Sequence, residues 1–471
     1  MPPKIYFRLW LLALLPRLAL AIVYFQHPIA LDDMFQYDML ARSILKGNGY
    51  RWYNQEDFET LRPYYSGFLD MENLETSEEG LLTTHRAPGY PIFLTGIYSI
   101  APEETRFGWV RIAQAAFTAT LAPLSALIAI HSGLGKKAAK IAGVSIGFYP
   151  LLLFYPLALA SENFFIPTLA AGFLFLLLAQ KSKKWSHILL SGLLLGANMF
   201  TRSISALFVI FGAWWVRTFG KLDLKKVGIF LALAFGICAP WAIRNTRIMG
   251  KPTFMESSLG YNLFISYHPE GNGGFISDIA IKPLNILDDV ERDKYCTEKA
   301  LQFIKSDPGE ALIRVLRKVA FFFSVEDREM AFFYGNGIFG HIPQPWLGLI
   351  YLILITPWIL IIFLAPVGML ISQRRAPVYL ALGLLAGYSA PHFLIIAEPR
   401  FHLALVPILL PYAAHAWAQR KKISTLGKWH RIILATIWLI LAALLIWSFS
   451  MNWDKLTALM GPDGYKIHLS Y

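Results

Sequence analysis

Charge is scarce in this chain, and so is cysteine. Only 16% of the 471 residues are Asp, Glu, Lys or Arg, where soluble domains carry nearer a quarter. There are two cysteines, Cys238 in an apolar run and Cys296 in a polar stretch, which excludes a disulfide scaffold. No Cys/His pair stands at metal-ligand spacing, and no internal repeat is detectable. Gly271-Asn272-Gly273-Gly274 lacks the strand and helix that frame a nucleotide-binding glycine loop. Apolar residues are abundant instead: 56% of the chain is hydrophobic and 15% aromatic. Runs of about twenty apolar residues, the length that crosses a bilayer, recur along it. The chain reads as an all-α polytopic membrane protein.

Segments with the composition of spanning helices are 8–28, 108–131, 139–157, 163–180, 186–200, 203–216, 227–245, 346–369, 377–396, 401–418 and 431–450. The pair 186–200 and 203–216 is short for full crossings, which predicts a tilted hairpin or helices extended into their flanks. The first segment resembles a cleaved leader only in being N-terminal; many spans follow it, and it is read as retained. The net charge of +12 gathers in short connectors. These hold Lys136, Lys137 and Lys140; Lys181, Lys183 and Lys184; Arg217, Lys221, Lys225 and Lys226; Arg374-Arg375; and Arg420-Lys421-Lys422 with Lys428 and Arg431. With eleven spans they fall on one side together with Lys4 and Arg8, and the positive-inside rule makes that side cytoplasmic. The basic balance therefore reports topology, not nucleic-acid binding. Trp214-Trp215 and Trp346 read as interfacial belts.

Two long segments then face outward. One is 29–107, rich in Asp and Glu. The other is 246–345, with Gly, Pro and Asn over 250–274 and helical spacing over Asp289 to Lys305 and Pro308 to Phe323. The organisation is an N-terminal transmembrane module 1–245 containing the loop 29–107, an outward segment 246–345, and C-terminal helices 346–471.

Asp32-Asp33 stands at the exit of the first span, where charge is costly and usually functional. The other charged or imidazole residues at outward span ends are His85, Arg86, Glu162, Arg202, Arg244, His392, Glu398, Arg400 and His402. They come from most of the spans yet share one level, which predicts a polar cavity facing outward. Span-end arginines ordinarily snorkel to the interface. That does not account for Glu162, set in Leu159-Ala160-Ser161-Glu162-Asn163-Phe164-Phe165 with almost no polar loop around it. Asp32 also stands where Asp caps a helix beginning near Met34, and Arg17, deep in the first span beside Pro16, needs an internal partner. A carboxylate in such a cavity can act as general base on an acceptor hydroxyl or amine. Arginines can hold a phosphate and stabilise its charge as it leaves. Phe35 to Leu45 has the amphipathic pattern of a helix lying on a membrane surface. A substrate with its tail in lipid and its phosphate head in the cavity suits this arrangement.

The string Leu31-Asp32-Asp33-Met34-Phe35-Gln36-Tyr37-Asp38-Met39-Leu40-Ala41, running on to Leu45-Lys46-Gly47-Asn48-Gly49-Tyr50, resembles the first-loop motif of GT-C glycosyltransferases. The likeness is closest to glycosyltransferase family 39, the protein O-mannosyltransferases and lipid A aminoarabinose transferases. Asp33, Tyr37 and Ala41 keep that motif's spacing, and Met34 replaces the usual second acid. Arg86-Ala87-Pro88-Gly89-Tyr90-Pro91 resembles the end of the family's first loop, and Ser161-Glu162 its second outward loop. Pro240-Trp241-Ala242-Ile243-Arg244-Asn245, with Gly260-Tyr261-Asn262-Leu263 and Asn272-Gly273, resembles the turn into its late outer domain; Arg400 and the span after it resemble its later helices.

The resemblance implies a GT-C-type bundle of about eleven helices and an inverting sugar transfer, hexosyl or pentosyl, from a polyprenyl-phosphate donor. Its partners would be that donor, a protein, lipid or glycan acceptor, and membrane lipid. Asp33 would be the base, with Asp32 orienting it or holding a divalent cation, the one cofactor left open. Glu162 would bind the acceptor or share the acidic role. Arg86 and Arg202 would face the donor phosphate, with Arg244 and Arg400 as further candidates. Tyr37, His85 and Tyr90 complete the substrate-binding set. The rival class is a transporter or flippase of a lipid-linked or anionic substrate. Such proteins tend to show repeated halves and charge at the bilayer midplane; this sequence shows neither.

Overall fold

The computed structural model describes residues 1–65, 76–326, 330, 334–335 and 340–466; both expected outward segments include residues outside that set. Every apolar segment read from the sequence is helical. The first is α1 (Pro3–Val23), which begins and ends about five residues before the expected span. In the loop that follows lie α2 (Asp33–Leu45), α3 (Gln55–Tyr65) and α4 (Gly89–Tyr98). Two short strands, β1 (Arg51–Trp52) and β2 (Leu81–Leu82), pair antiparallel with Arg51 opposite Leu82. The chain continues through α5 (Arg106–Thr118), α6 (Leu121–His131), α7 (Lys136–Gly147), α8 (Pro150–Phe154), α9 (Glu162–Ser182), α10 (Trp185–Thr201), α11 (Ala206–Gly220) and α12 (Leu224–Met249).

The late outer segment holds α13 (Leu259–Tyr267), α14 (Ser277–Ile281), α15 (Asp289–Ser306) and α16 (Pro308–Phe323). The last two match the helical spacing of the sequence and start at side-chain caps, Asp288 and Asp307. Four long helices close the bundle: α17 (Gln344–Ile371), α18 (Arg375–Leu394), α19 (Val406–Ala418, preceded by a 3-10 turn from Pro399) and α20 (Lys428–Met451).

Eight helices among the described residues are long and apolar enough to cross a membrane, and nine if the pair 136–147 and 150–157, bent by 54°, is one broken span. The other two expected spans are helices outside that measure. The helix α10 has 17 residues and packs between α9 and α12. The helix α18 is continuous over 20 residues, but Tyr379, Tyr388, Pro391 and His392 dilute its apolar character; it packs on α11 and α16. The chain is a polytopic membrane protein built almost wholly of helix.

Buried polar side chains explain how the bundle is fixed. Arg17 is buried in α1 and donates to the carbonyls of Ala13 (2.8 Å) and Gly147 (2.7 Å), with Ile146 at 3.4 Å. It satisfies the orphan carbonyls that end α7 at the bend, which accounts for an arginine at that depth. Arg111 of α5 does the same for the exit of α1. It donates to the carbonyls of Leu157 (2.9 Å), Tyr24 (2.8 Å) and His27 (2.7 Å), fixing the turn that leads to Asp32. Helices α17 and α19 cross closely at Gly368, where an added Cβ would lie 1.9 Å from the Tyr412 carbonyl oxygen.

The connectors at one end of the bundle meet each other. Trp215 Nε1 donates to the Ala376 carbonyl (2.8 Å), the His415 ring meets the Leu134 carbonyl (2.9 Å), and Gln180 Nε2 donates to the Phe219 carbonyl (3.3 Å). That is the end with the basic clusters. Trp214 is exposed there, but Trp215 is a buried packing residue and not part of an interfacial belt. The apolar residues of α2, including Phe35, Met39, Leu40 and Ala41, are likewise buried against the protein, which leaves little apolar face for a membrane surface. Cys238 and Cys296 are both buried and free.

Candidate active site

The end opposite the basic connectors holds a cavity of about 870 Å³. Asp32 and Asp33 enter it from the start of α2, whose first turn is capped by Asp32 accepting from the Met34 N–H at 2.8 Å. The cap expected from the sequence is therefore present, and it holds one Asp32 oxygen while the rest of the carboxylate faces the cavity. Enclosure by protein, then the neighbouring Asp33 charge, raise the Asp32 carboxyl above the usual carboxylate range.

Arg86 reaches the same cavity because three contacts place its loop. The Tyr50 hydroxyl lies 3.0 Å from the Arg86 carbonyl and 3.2 Å from that of Ala87. Tyr50 is itself presented by a turn in which Gly47 and Gly49 take φ of +81° and +79°, a backbone region that favours glycine. Asp289 accepts from the Thr83 hydroxyl (2.8 Å) and the Thr84 N–H (2.5 Å), tying the loop to α15. At Gly89 a Cβ would lie 2.5 Å from Thr201 Oγ1, so only glycine lets α4 start against the end of α10. This is the physical content of the Arg-Ala-Pro-Gly stretch: it brings Arg86 to the corner that carries Arg202.

The Arg86 guanidinium bonds Asp33 and donates to Gln36 Oε1 through Nε (2.9 Å), while its carbon lies 5.5 Å from the Tyr37 ring centre. Burial disfavours its charged form, but Asp33 outweighs this and keeps Arg86 protonated. Arg400 stands 3.7 Å from the other Asp33 oxygen and 2.7 Å from Glu398. Arg202 donates to Glu162 Oε1 (2.7 Å) and to Ser161 Oγ (2.9 Å). The Tyr37 hydroxyl lies 3.3 Å from that same Ser161 oxygen, which links the two arginine clusters.

Seven of the ten residues predicted from the sequence line the cavity: Asp32, Asp33, Tyr37, His85, Arg86, Arg202 and Arg400. Three do not. Glu162 is buried behind Arg202 as its counter-ion. Tyr90 packs edge-on to Tyr37, 4.9 Å between ring centres, and its hydroxyl donates to Gln114 Oε1 at 2.5 Å. Arg244 is held elsewhere, donating to the Thr83 carbonyl (3.0 Å) over the Trp241 ring (4.5 Å). His85 packs between Trp52 and Tyr261, each 5.3 Å away; burial and then the Arg292 and Arg86 charges hold its ring neutral.

Reading the sequence missed Gln36, Ser203 and Glu256, which also line the cavity. Gln36 lies one helical turn after Asp33, a spacing that could have drawn notice. Nothing near Glu256 in sequence marks it. Among the described residues no three His, Cys, Asp or Glu side chains converge as a metal-binding group. Asp33 already has an arginine at each oxygen, so Asp32 and Asp33 do not by themselves fit a resident divalent cation.

No protein-family model and no curated protein matches the chain. Its backbone is similar to that of several solved structures. The Archaeoglobus fulgidus oligosaccharyltransferase complex with Zn and sulfate matches with a TM-score of 0.46 and 14% identity, over 97% of this chain and 53% of that one. AglB from the same organism, with an inhibitory peptide and a dolichol-phosphate, gives 0.43 and 14% over 99% and 60%. ArnT from Cupriavidus metallidurans, bound to undecaprenyl phosphate, gives 0.37 and 11% over 88% and 78%. The chain thus spans little more than half the length of the oligosaccharyltransferases it matches.

Proposed function

We propose that this chain is a GT-C-type glycosyltransferase that moves a sugar from a polyprenyl-phosphate donor to an acceptor on the non-cytoplasmic side. The observation that carries the reading is the convergence of Asp32, Asp33, Arg86, Arg202 and Arg400 on one cavity. They come from four separate stretches of chain. A carboxylate pair beside three guanidiniums suits attack by a neutral nucleophile on a phosphate-linked carbon. The cavity also has apolar walls, with Leu31, Met39, Phe58 and Leu61 on one side and Ile204, Leu207 and Ile395 on another. Such walls suit the lipid-proximal part of the donor.

In this reading the donor phosphate seats on Arg86, Arg202 and Arg400, displacing Arg86 and Arg400 from Asp33. The freed Asp33 carboxylate accepts the proton of the acceptor hydroxyl or amine. The acceptor oxygen or nitrogen bonds to the anomeric carbon as the carbon–oxygen bond to phosphate breaks on the opposite face. The electron pair leaves with the polyprenyl phosphate, whose charge the arginines stabilise. Inversion follows from that single displacement. Glu162 sets Arg202, and Tyr90 supports Tyr37, from behind the cavity. The basic connectors at the opposite end support this sidedness, since the positive-inside rule favours a cytoplasmic N-terminus.

The test is Asp33→Asn in membranes supplied with labelled polyprenyl-phosphate sugars. Transfer should fall by about 10²- to 10⁴-fold with expression unchanged. Wild-type rates in the variant would remove Asp33 from the base role. Movement of a solute across sealed vesicles without any lipid donor would favour a transporter.

A further inference from the structure

The transfer chemistry leaves Glu256 of the cavity wall unused; of the other lining carboxylates outside the Asp32-Asp33 pair, Glu398 pairs with Arg400 and Asp293 with Lys251. Glu256 lies between α12 and α13, and its stretch is pinned on both sides. Asn245 Nδ2 donates to the Met255 carbonyl (3.0 Å), the Ser257 N–H donates to the Thr84 carbonyl (2.9 Å), and the Thr84 hydroxyl meets Ser257 Oγ at 2.9 Å. Glu256 Oε1 then accepts from Ser203 Oγ at 2.5 Å, next in sequence to Arg202. A carboxylate with a fixed backbone and one oriented oxygen is thus presented to the cavity.

Charge neutralisation does not explain it. Arg202 already has Glu162 at 2.7 Å, and Arg86 has Asp33. Burial holds the Glu256 carboxyl above its usual range, although Ser203 and the Arg202 and Arg86 charges pull the other way. Glu256 is half-buried, and among the described residues Ser203 gives it its one hydrogen bond, which leaves carboxylate acceptor capacity facing the cavity. A phosphate is the poorer partner, because an ionised carboxylate repels it while Arg86, Arg202 and Arg400 attract it. A lipid-phosphate donor seated on Arg86, Arg202 and Arg400 must therefore turn an uncharged or cationic, hydrogen-bond-donating part toward Glu256. The part joined to the phosphate is the sugar.

We propose that Glu256, oriented by Ser203, accepts hydrogen bonds from the hydroxyl or ammonium groups of the donor sugar and so selects which sugar is used. The assignment rests on the donor reading above. It makes the stretch 250–258 the specificity wall of the cavity and leaves the phosphate grip to the arginines.

The experiment uses the full chain in lipid nanodiscs with three probes: bare polyprenyl phosphate, the same lipid carrying a neutral hexose, and the same lipid carrying an amino sugar. Glu256→Gln keeps the side-chain volume and a hydrogen-bonding group beside Ser203. Bare polyprenyl phosphate should bind this variant at least as tightly as it binds the wild type. At least one sugar-bearing donor should bind it about tenfold or more weakly, the scale of a lost charge-assisted hydrogen bond. Ser203→Ala should show the same selective loss, smaller in size. Equal weakening of bare and sugar-bearing lipids would make Glu256 structural and overturn the proposal, as would no weakening at all. Wild-type protein that binds none of the three would overturn the donor reading itself, and the sugar assignment with it.

Discussion

Asp32 and Asp33 are chemically identical neighbours, and their surroundings divide them. Asp33 lies between Arg86 and Arg400, while Asp32 caps α2 and faces the cavity with its carboxyl raised. Each charge disfavours ionisation of the other. Asp32→Asn removes one of them and keeps the helix cap, since Asn caps as well as Asp. If Asp32 caps α2 and leaves the base role to Asp33, Asp32→Asn should keep single-turnover transfer within about tenfold of the wild type. A loss as large as that of Asp33→Asn would move the base role to Asp32. The sign for stability follows from the same raised carboxyl. Its contribution is greatest where the group is protonated and is lost as pH rises through its folded value. At neutral pH the Asn variant should accordingly unfold no more easily than the wild type.

Among the elements, close helix approaches depend on glycine. At Gly368 a methyl group would meet the backbone of α19, which cannot give way as a flexible side chain would. Gly368→Ala should destabilise the protein by about 1–3 kcal/mol, the range of core overpacking. Gly228 of α12 makes the contrast, because a Cβ there meets nothing within 4 Å and the position is exposed. Gly228→Ala should leave stability unchanged or raise it by up to ~1 kcal/mol through helix propensity. Thermal unfolding of both variants in the same detergent measures the difference, and similar shifts in the two would show that the crossing does not depend on its glycine. The helices were legible from the sequence because each apolar run carries its own periodicity. The interruptions were less so: the bend near Gly147 and Pro150 depends on Arg17, a residue about 130 positions earlier in the chain.

For the whole molecule, basic connectors gather at one end and the cavity opens at the other. If the positive-inside rule orients the chain, Lys184 is cytoplasmic and Glu104 lies outside. Both are exposed, and the native Cys238 and Cys296 are buried. A membrane-impermeant maleimide applied to intact cells should label Glu104→Cys and should label Lys184→Cys only after lysis. The reverse pattern would invert the topology and move the proposed chemistry to the cytoplasm.

By itself the sequence determined the class of molecule, the position of the long apolar helices, and the end of them at which charge would collect. Those properties are local: an apolar run long enough for a bilayer, a basic connector, and a carboxylate pair at a span's exit are each read over a few residues. Tertiary structure alone decided which of those charges meet. Arg202 and Arg400 reach the cavity while Arg244, equally plausible as a span-end arginine, turns to the Thr83 carbonyl. Glu162 and Tyr90 fall behind the cavity wall, and Glu256, unmarked by any motif, stands on it. The direction of a side chain at a helix end depends on contacts with residues tens to hundreds of positions away. No local pattern records those contacts.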